Sequence, residues 1–198
     1  MNIHVPPPQT APTGPTPVLL TYSDFLRMRE DGRLEKGQKY ELLEGVLYKM
    51  PAEGIPHRLH RAQVTGYIYR ALSPEDWIII PDSRLLLSQL NAPEPDIYIH
   101  PANVPHSKLT GEQVSLVIEV AVSSIAVDSD QKARIYAEHG VPEYWIVDVE
   151  RQRTKVLRDP LPDGDWREAG FVAFDETLSA RHVPGLHLVI QALPHLQR

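Results

Sequence analysis

The stretch from Val114 to Val149 constrains the fold more than any other part of the chain. It holds an apolar run, "LVIEVA", a helical pattern from about Asp128 to His139, and a second apolar run, "EYWIVDVE". Gly140 suits the left-handed position that ends a helix, and Pro142 blocks any continuation. The unit therefore reads as strand, helix, strand, with the two strands parallel and joined by a right-handed crossover. Parallel strands are buried on both faces, so the rest of the chain must supply covering layers. Glu119 is the anomaly in this unit: a carboxylate inside a buried strand costs several kcal/mol unless something compensates it. A structural cationic partner or a bound cation would do so.

The remaining segments fit around that unit. Thr21 with Asp24 three residues on forms a capping-box pattern ahead of a short helix. "KYELLEGVLYKM" predicts a strand over Tyr40–Met50 with Gly45 as a bulge. Val64, Tyr67, Ile68, Ala71 and Leu72 recur at helical spacing within a predicted helix over Arg58–Ser73. "DWIIIP", "RLLLSQ" and "PDIYIH" read as three short strands, and "RTKVLRD", "REAGFVAF" and "GLHLVI" as a β-rich finish. The fold class is α/β (α+β), a mixed central sheet flanked by helices with extra strands toward the C-terminus. Residues 1–17 carry six of the 19 prolines and are expected to form a disordered arm. A single domain over 18–198 follows, since 42% hydrophobic content suffices for one sizeable core.

Composition narrows the chemistry. With no cysteine, thiolate zinc sites, disulfides and cysteine nucleophiles are excluded, and any metal must be held by oxygen or imidazole. The formal charge of −6 argues against a protein that coats nucleic acid, though a basic stripe can be local. No apolar stretch approaches the roughly 20 residues needed to span a bilayer, so a soluble, cytoplasmic protein with no membrane partner is expected.

Strand alternation puts Asp96, Tyr98 and His100 on one face of "PDIYIH", and Val117, Glu119 and Ala121 on one face of the next strand. If those strands are neighbours, Asp96 and Glu119 converge. Two facing carboxylates repel unless one is protonated or a hard cation lies between them. Lys132 falls on the same helical stripe as Ile135, Tyr136 and His139 and can aim an ammonium at the pair. A surface ion pair with Asp128 is the plainer account of Lys132, and an ion pair with Arg84, Arg134 or Lys132 the plainer account of Glu119. His60 reads as a helix-start histidine with a satisfied ring, and His57 and His139 carry less weight still. Tyr136, Tyr144 and Trp145 read as core, and Ser123 and Ser124 as turn residues.

The combination "YELLEG", "EPDIYI", "LVIEVAVSS", "DSDQK" and "YAEHGVPEYWIVD" resembles the Uma family of restriction-endonuclease-like proteins within the PD-(D/E)xK nuclease superfamily. The resemblance spans about Thr21 to Arg158. It implies a restriction-endonuclease-like fold and a Mg²⁺- (or Mn²⁺-) dependent endonuclease acting on nucleic acid, DNA first. Asp96 matches the PD aspartate and Glu119 the acidic member of the (D/E)xK element, and both would hold the metal with the backbone carbonyl of Val120. Ala121 stands at the usual lysine position, so the family pattern places the lysine on the next helix, at Lys132. Glu41 resembles the early glutamate of the superfamily, with Glu44 as the other candidate. The sequence departs from the family in lacking a proline after Ser123 and an arginine-rich stretch nearby.

Phosphate contacts from Arg58, Arg61 and Arg70 and a homodimer for cutting both strands of a duplex complete this expectation. Two other readings compete with it. One is a noncatalytic binding or assembly module in which the carboxylates and Lys132 fix the fold; the other is a hydrolase of small phosphodiesters.

Overall fold

A computed structural model describes residues 17–122 and 126–194, and the side chains of 126–129 are outside the description. The expected arm, the turn role of Ser123 and Ser124 and the Asp128–Lys132 pair therefore lie outside the described residues.

The first helix, α1 (Tyr22–Glu30), starts at the expected capping box: Thr21 Oγ1 accepts from Asp24 N at 3.2 Å and Asp24 Oδ2 accepts from Thr21 N at 2.9 Å. The predicted strand over 40–50 is instead a hairpin, β1 (Tyr40–Leu43) with β2 (Val46–Lys49). Glu44 and Gly45 form the two-residue turn with φ of 52° and 76°, the positive pair that such turns require, so Gly45 reverses the chain where a bulge was expected. A Cβ on Gly45 would stand 2.6 Å from Leu19 Cβ, so the glycine also lets the entering chain pass.

The second helix, α2 (Ile55–Ala71), begins three residues before the predicted start at Arg58. Gly54 caps it and Pro56 sits in its first turn, where a missing N–H costs nothing. Strand β3 (Trp77–Pro81) pairs antiparallel with β4 (Ile97–Pro101). The intervening "RLLLSQ" is not a strand. Asp82, at φ 47°, turns the chain out of the sheet, and the excursion bonds to itself through Leu85 N to Pro93 O and Leu87 N to Asn91 O.

Strand β5 (Leu116–Ala121), helix α3 (Ala126–Glu138) and strand β6 (Glu143–Asp148) form the expected parallel crossover unit. Gly140 takes φ 73° after α3, and the N–H of Val141 reaches back to Tyr136 O at 3.0 Å. Strands β7 (Arg153–Pro160) and β8 (Trp166–Ala173) complete a six-stranded sheet of order β3-β4-β5-β6-β7-β8, parallel only between β5 and β6. Of "GLHLVI" only His187–Leu188 pairs as a strand, β10, with β9 (Leu178–Ser179).

Alternation along the central strands builds two cores. Ile97, Ile99, Ile118 and Val120 face α2 and the C-terminal elements. Tyr98, Val117 and Ile146 face α3, packing against Ala133, Tyr136 and Ala137. Each such side chain contributes about 1.5–3 kcal/mol by leaving water. No helix among the described residues is long and apolar enough to cross a membrane.

Candidate active site

The start of β4 and the end of β5 lie side by side because the two strands run antiparallel. Asp96, just before β4, and Glu119, near the end of β5, are thereby brought to one end of the sheet. Each is held by the other's strand: Val120 N donates to Asp96 Oδ2 at 2.7 Å, and Asp96 N donates to Glu119 Oε2 at 3.3 Å. The register sets Val120 opposite Pro95, which has no N–H to return. In an extended strand the carbonyl shares the edge of its own N–H, so Val120 turns both groups toward Asp96.

Lys132 reaches the same place from α3 and is 6% exposed. Its Nζ lies 3.1 Å from Glu119 Oε1 and 2.9 Å from Glu41 Oε2. Of the three cations considered for Glu119, this is the one that meets it. Arg84 pairs with Glu94 and reaches the Tyr40 carbonyl, and Arg134 pairs with Glu44 and Glu138. The hairpin separates its two glutamates: Glu41 is 1% exposed and bound to Lys132, whereas Glu44 sits at the turn on Arg134 and Gln131. Tyr136 is core as expected, and its hydroxyl also donates to Glu119 Oε1 at 3.4 Å.

Three residues at the site went unassigned in the sequence. His57, on the first turn of α2, places Nε2 3.2 Å from Asp96 Oδ2. Glu53, in the loop before α2, contacts His57 Nδ1 at 3.4 Å, Arg61 Nη1 at 2.8 Å and Lys39 Nζ at 3.4 Å. Lys39 also reaches Asp82 at 3.3 Å. His60, one turn further along, bonds the Pro56 carbonyl through Nδ1 at 2.7 Å, the satisfied ring that was expected. Of the three arginines read as phosphate contacts, Arg58 and Arg70 are exposed, while Arg61 is drawn into the acidic cluster. A Pro at the second helical position carries the missed signal. It starts α2 at Ile55, and His57, Arg61, Val64 and Ile68 then share one stripe.

Asp96, Glu119, Lys132, Glu41, His57, Glu53 and Lys39 line a cleft of about 410 Å³ whose other walls include Met50, Pro51, Pro56, Ala121 and Val122. Burial pushes the Glu119 carboxyl up to about 7; the charges of Asp96 and Glu41 add to this and Lys132 offsets only part. Burial also opposes the Asp96 carboxylate, but the His57 hydrogen bond and charge, with the Val120 N–H, outweigh it and hold that group below its ordinary value. The Asp96 hydrogen bond raises His57 in turn. Lys39 is disfavoured by burial yet raised on balance, because Glu41, Glu119, Asp82 and Glu53 surround it. The cleft thus keeps two neighbouring carboxyls of opposite tendency beside two lysines.

The oxygen donors of Asp96 and Glu119 suit a hard divalent cation, and the donor atoms of Glu53, His57 and Asp96 lie within 4.8 Å of one another. A dication would offset both the desolvation of Glu119 and its repulsion by Asp96 and Glu41, so the residues present fit such an ion.

Comparison with known proteins agrees with this architecture. A crystal structure of a "putative nuclease" from Anabaena variabilis matches with a TM-score of 0.68 at 18% identity, over 87% of this chain and 96% of that one, a likeness of fold. A search of curated proteins finds no match. The Uma2 family, described as "Putative restriction endonuclease", matches residues 22–191, and the chain belongs to that family.

Proposed function

We propose that the protein is a Mg²⁺- or Mn²⁺-dependent endonuclease that hydrolyses phosphodiester bonds in DNA. The observation that carries this reading is the meeting of Asp96, Glu119 and Lys132 in one cleft, from three different elements. Asp96 and Glu119, with the Val120 carbonyl beside them, would hold the cation. When bound, it would polarise the scissile phosphate and acidify the attacking water. Lys132 holds its ammonium on Glu119 and would stabilise charge developing on the phosphoryl oxygens. Glu41 fixes that ammonium from the far side and so sets where its charge points. Lys39, which lines the same cleft, would add a second positive charge for a phosphate.

The finer expectations belong to the same proposal: one nuclease domain over 18–198 behind a proline-rich arm, soluble in the cytoplasm. Cutting both strands of a duplex calls for two such sites about a twofold axis, hence a homodimer. Duplex plasmid and single-stranded DNA should be cut with Mg²⁺ or Mn²⁺ and spared in EDTA. Asp96→Asn, Glu119→Gln and Lys132→Ala should each lower the rate by about 100-fold or more, the usual cost of removing one charge-stabilising group. Undiminished metal-dependent cleavage by any of the three would remove that residue from the mechanism.

One observation favours a second reading. Lys132 already pairs with both Glu119 and Glu41, as in a noncatalytic module whose acids serve only to fix the fold. Calorimetric titration with Mn²⁺ separates the two, since a saturated network takes up no cation.

A further inference from the structure

Arg61 makes an unusual set of contacts. A single nitrogen, Nη1, stands 2.8 Å from Glu53 Oε2, 3.2 Å from Asp82 Oδ1 and 3.3 Å from Asp96 Oδ1. The three carboxylates come from separate places: the loop before α2, the turn after β3, and the residue before β4. Guanidinium groups bind carboxylates best through a two-nitrogen fork. Here one nitrogen serves three acids as a point charge, the arrangement a metal ion adopts.

A second observation concerns His57. Its Nε2 faces Asp96 Oδ2, while Nδ1 is buried, 3.4 Å from Glu53 Oε2, and forms no hydrogen bond. The ring thus stands between two carboxylates, Asp96 on its Nε2 side and Glu53 on its Nδ1 side, and one donor atom from each of the three residues lies within 4.8 Å of the others, a mixed oxygen and imidazole set of the kind that holds a transition-metal ion.

We infer that Glu53, His57 and Asp96 form a divalent-cation site of mixed oxygen and imidazole donors, with Asp82 at its rim, where Lys39 also pairs with Glu53 and Asp82, and that the Arg61 guanidinium, which touches all three acids, is the group a cation displaces. This site shares Asp96 with the Glu119 and Lys132 side of the same cleft and adds donors from the α2 side. Its imidazole donor selects Mn²⁺ over Ca²⁺, which takes oxygen ligands. A metal entering there releases Arg61 to meet substrate phosphate. That last consequence rests on the nuclease reading of the cleft; cation binding does not.

The test uses the full chain and Mn²⁺ alone, with affinity from calorimetry and ligand identity from pulsed electron paramagnetic resonance. Mn²⁺ bound to the wild type should show ¹⁴N modulation from a coordinated imidazole, lost in His57→Gln and kept in Glu119→Gln. Arg61→Met should bind Mn²⁺ about tenfold more tightly, because the internal competitor, equivalent to one charge-assisted hydrogen bond, is gone. Arg61→Gln repeats that measurement should the Met variant melt early, and the wild-type spectrum needs no variant at all. Absence of nitrogen coupling in the wild type, or equal or weaker binding after loss of Arg61, would overturn the inference. Glu119-dependent cleavage without nitrogen coupling sinks this site and leaves the nuclease reading standing. Nitrogen coupling in a protein that cuts no DNA does the reverse.

Discussion

Two glutamates in adjacent, parallel strands, one buried and one half-buried, have opposite surroundings. Glu143, at the start of β6, is 0% exposed and accepts four hydrogen bonds: from Trp145 Nε1, Arg158 Nε, and the backbone N–H groups of Arg181 and His182. Each donor is fixed by the strand or segment that carries it, so the carboxylate ties β6, β7 and the stretch before β10 together. Glu119, in β5, shares one ammonium with Glu41, stands against Asp96, and borders a cleft. Burial alone therefore does not mark a functional acid. What distinguishes the two is saturation: Glu143 has a full complement of donors and no second acid drawing on them, whereas Glu119 competes with like charges for too few.

The largest effect expected from this contrast is at Glu143. Replacing it with Ala leaves Arg158 without its buried counter-charge and two backbone N–H groups without an acceptor, which should cost about 3–5 kcal/mol. Urea unfolding followed by tryptophan fluorescence measures it, and Mn²⁺ affinity of the still-folded protein should not change. A loss under about 1 kcal/mol would break the contrast at its structural end.

The same contrast explains which parts of the molecule were legible in the sequence. The crossover unit and Lys132 were readable because apolar periodicity forces their faces: once Ile135 and Tyr136 point inward, Lys132 must as well. Asp96 and Glu119 followed from alternation and from the family resemblance. Glu53, His57 and Lys39 were not readable in this way, since they reach the cleft from a loop, a helix start and a residue just ahead of a strand. Setting the start of α2 at Arg58 put His57 outside the helix and gave His60 the greater weight. Glu143 was hidden for a different reason: its donors come from 15 and 38 residues further along, where no local pattern can point.

A smaller effect, of opposite sign, is expected at Glu119. Its folded-state pKa is raised, so the folded protein retains the proton more tightly than the unfolded chain does. The stability this contributes is complete below the ordinary value of 4.5 and is lost as pH rises through about 7. That interval corresponds to about 3 kcal/mol at 1.36 kcal/mol per pKa unit. Glu119→Gln abolishes the titration, and Lys132 keeps Glu41 at 2.9 Å as its counter-charge. In EDTA the variant should therefore match the wild type near pH 4 and exceed it by up to about 3 kcal/mol above pH 8. A variant less stable than the wild type at pH 8 would make Glu119 a second Glu143, and the noncatalytic reading would gain.

The smallest effect sharpens the comparison within a single hairpin. Glu41 and Glu44 are three residues apart, yet the turn at Glu44 and Gly45 sends one inward to Lys132 and leaves the other outside on Arg134. The Glu44–Arg134 pair is 37% and 43% exposed, so water and salt screen it, and the Gln131 hydrogen bond that lowers the Glu44 pKa is only partly buried. Glu44→Gln should cost about 0.5 kcal/mol or less and leave cleavage and Mn²⁺ affinity unchanged. Glu41→Gln removes the group that positions Lys132 from the side away from Glu119, and the ammonium then swings wholly to Glu119. Metal affinity should fall, because a better neutralised Glu119 attracts a dication less, and cleavage should fall with it. Equal effects of the two substitutions on Mn²⁺ binding would mean that the hairpin contributes only general negative charge, and that Glu41 does not act through Lys132.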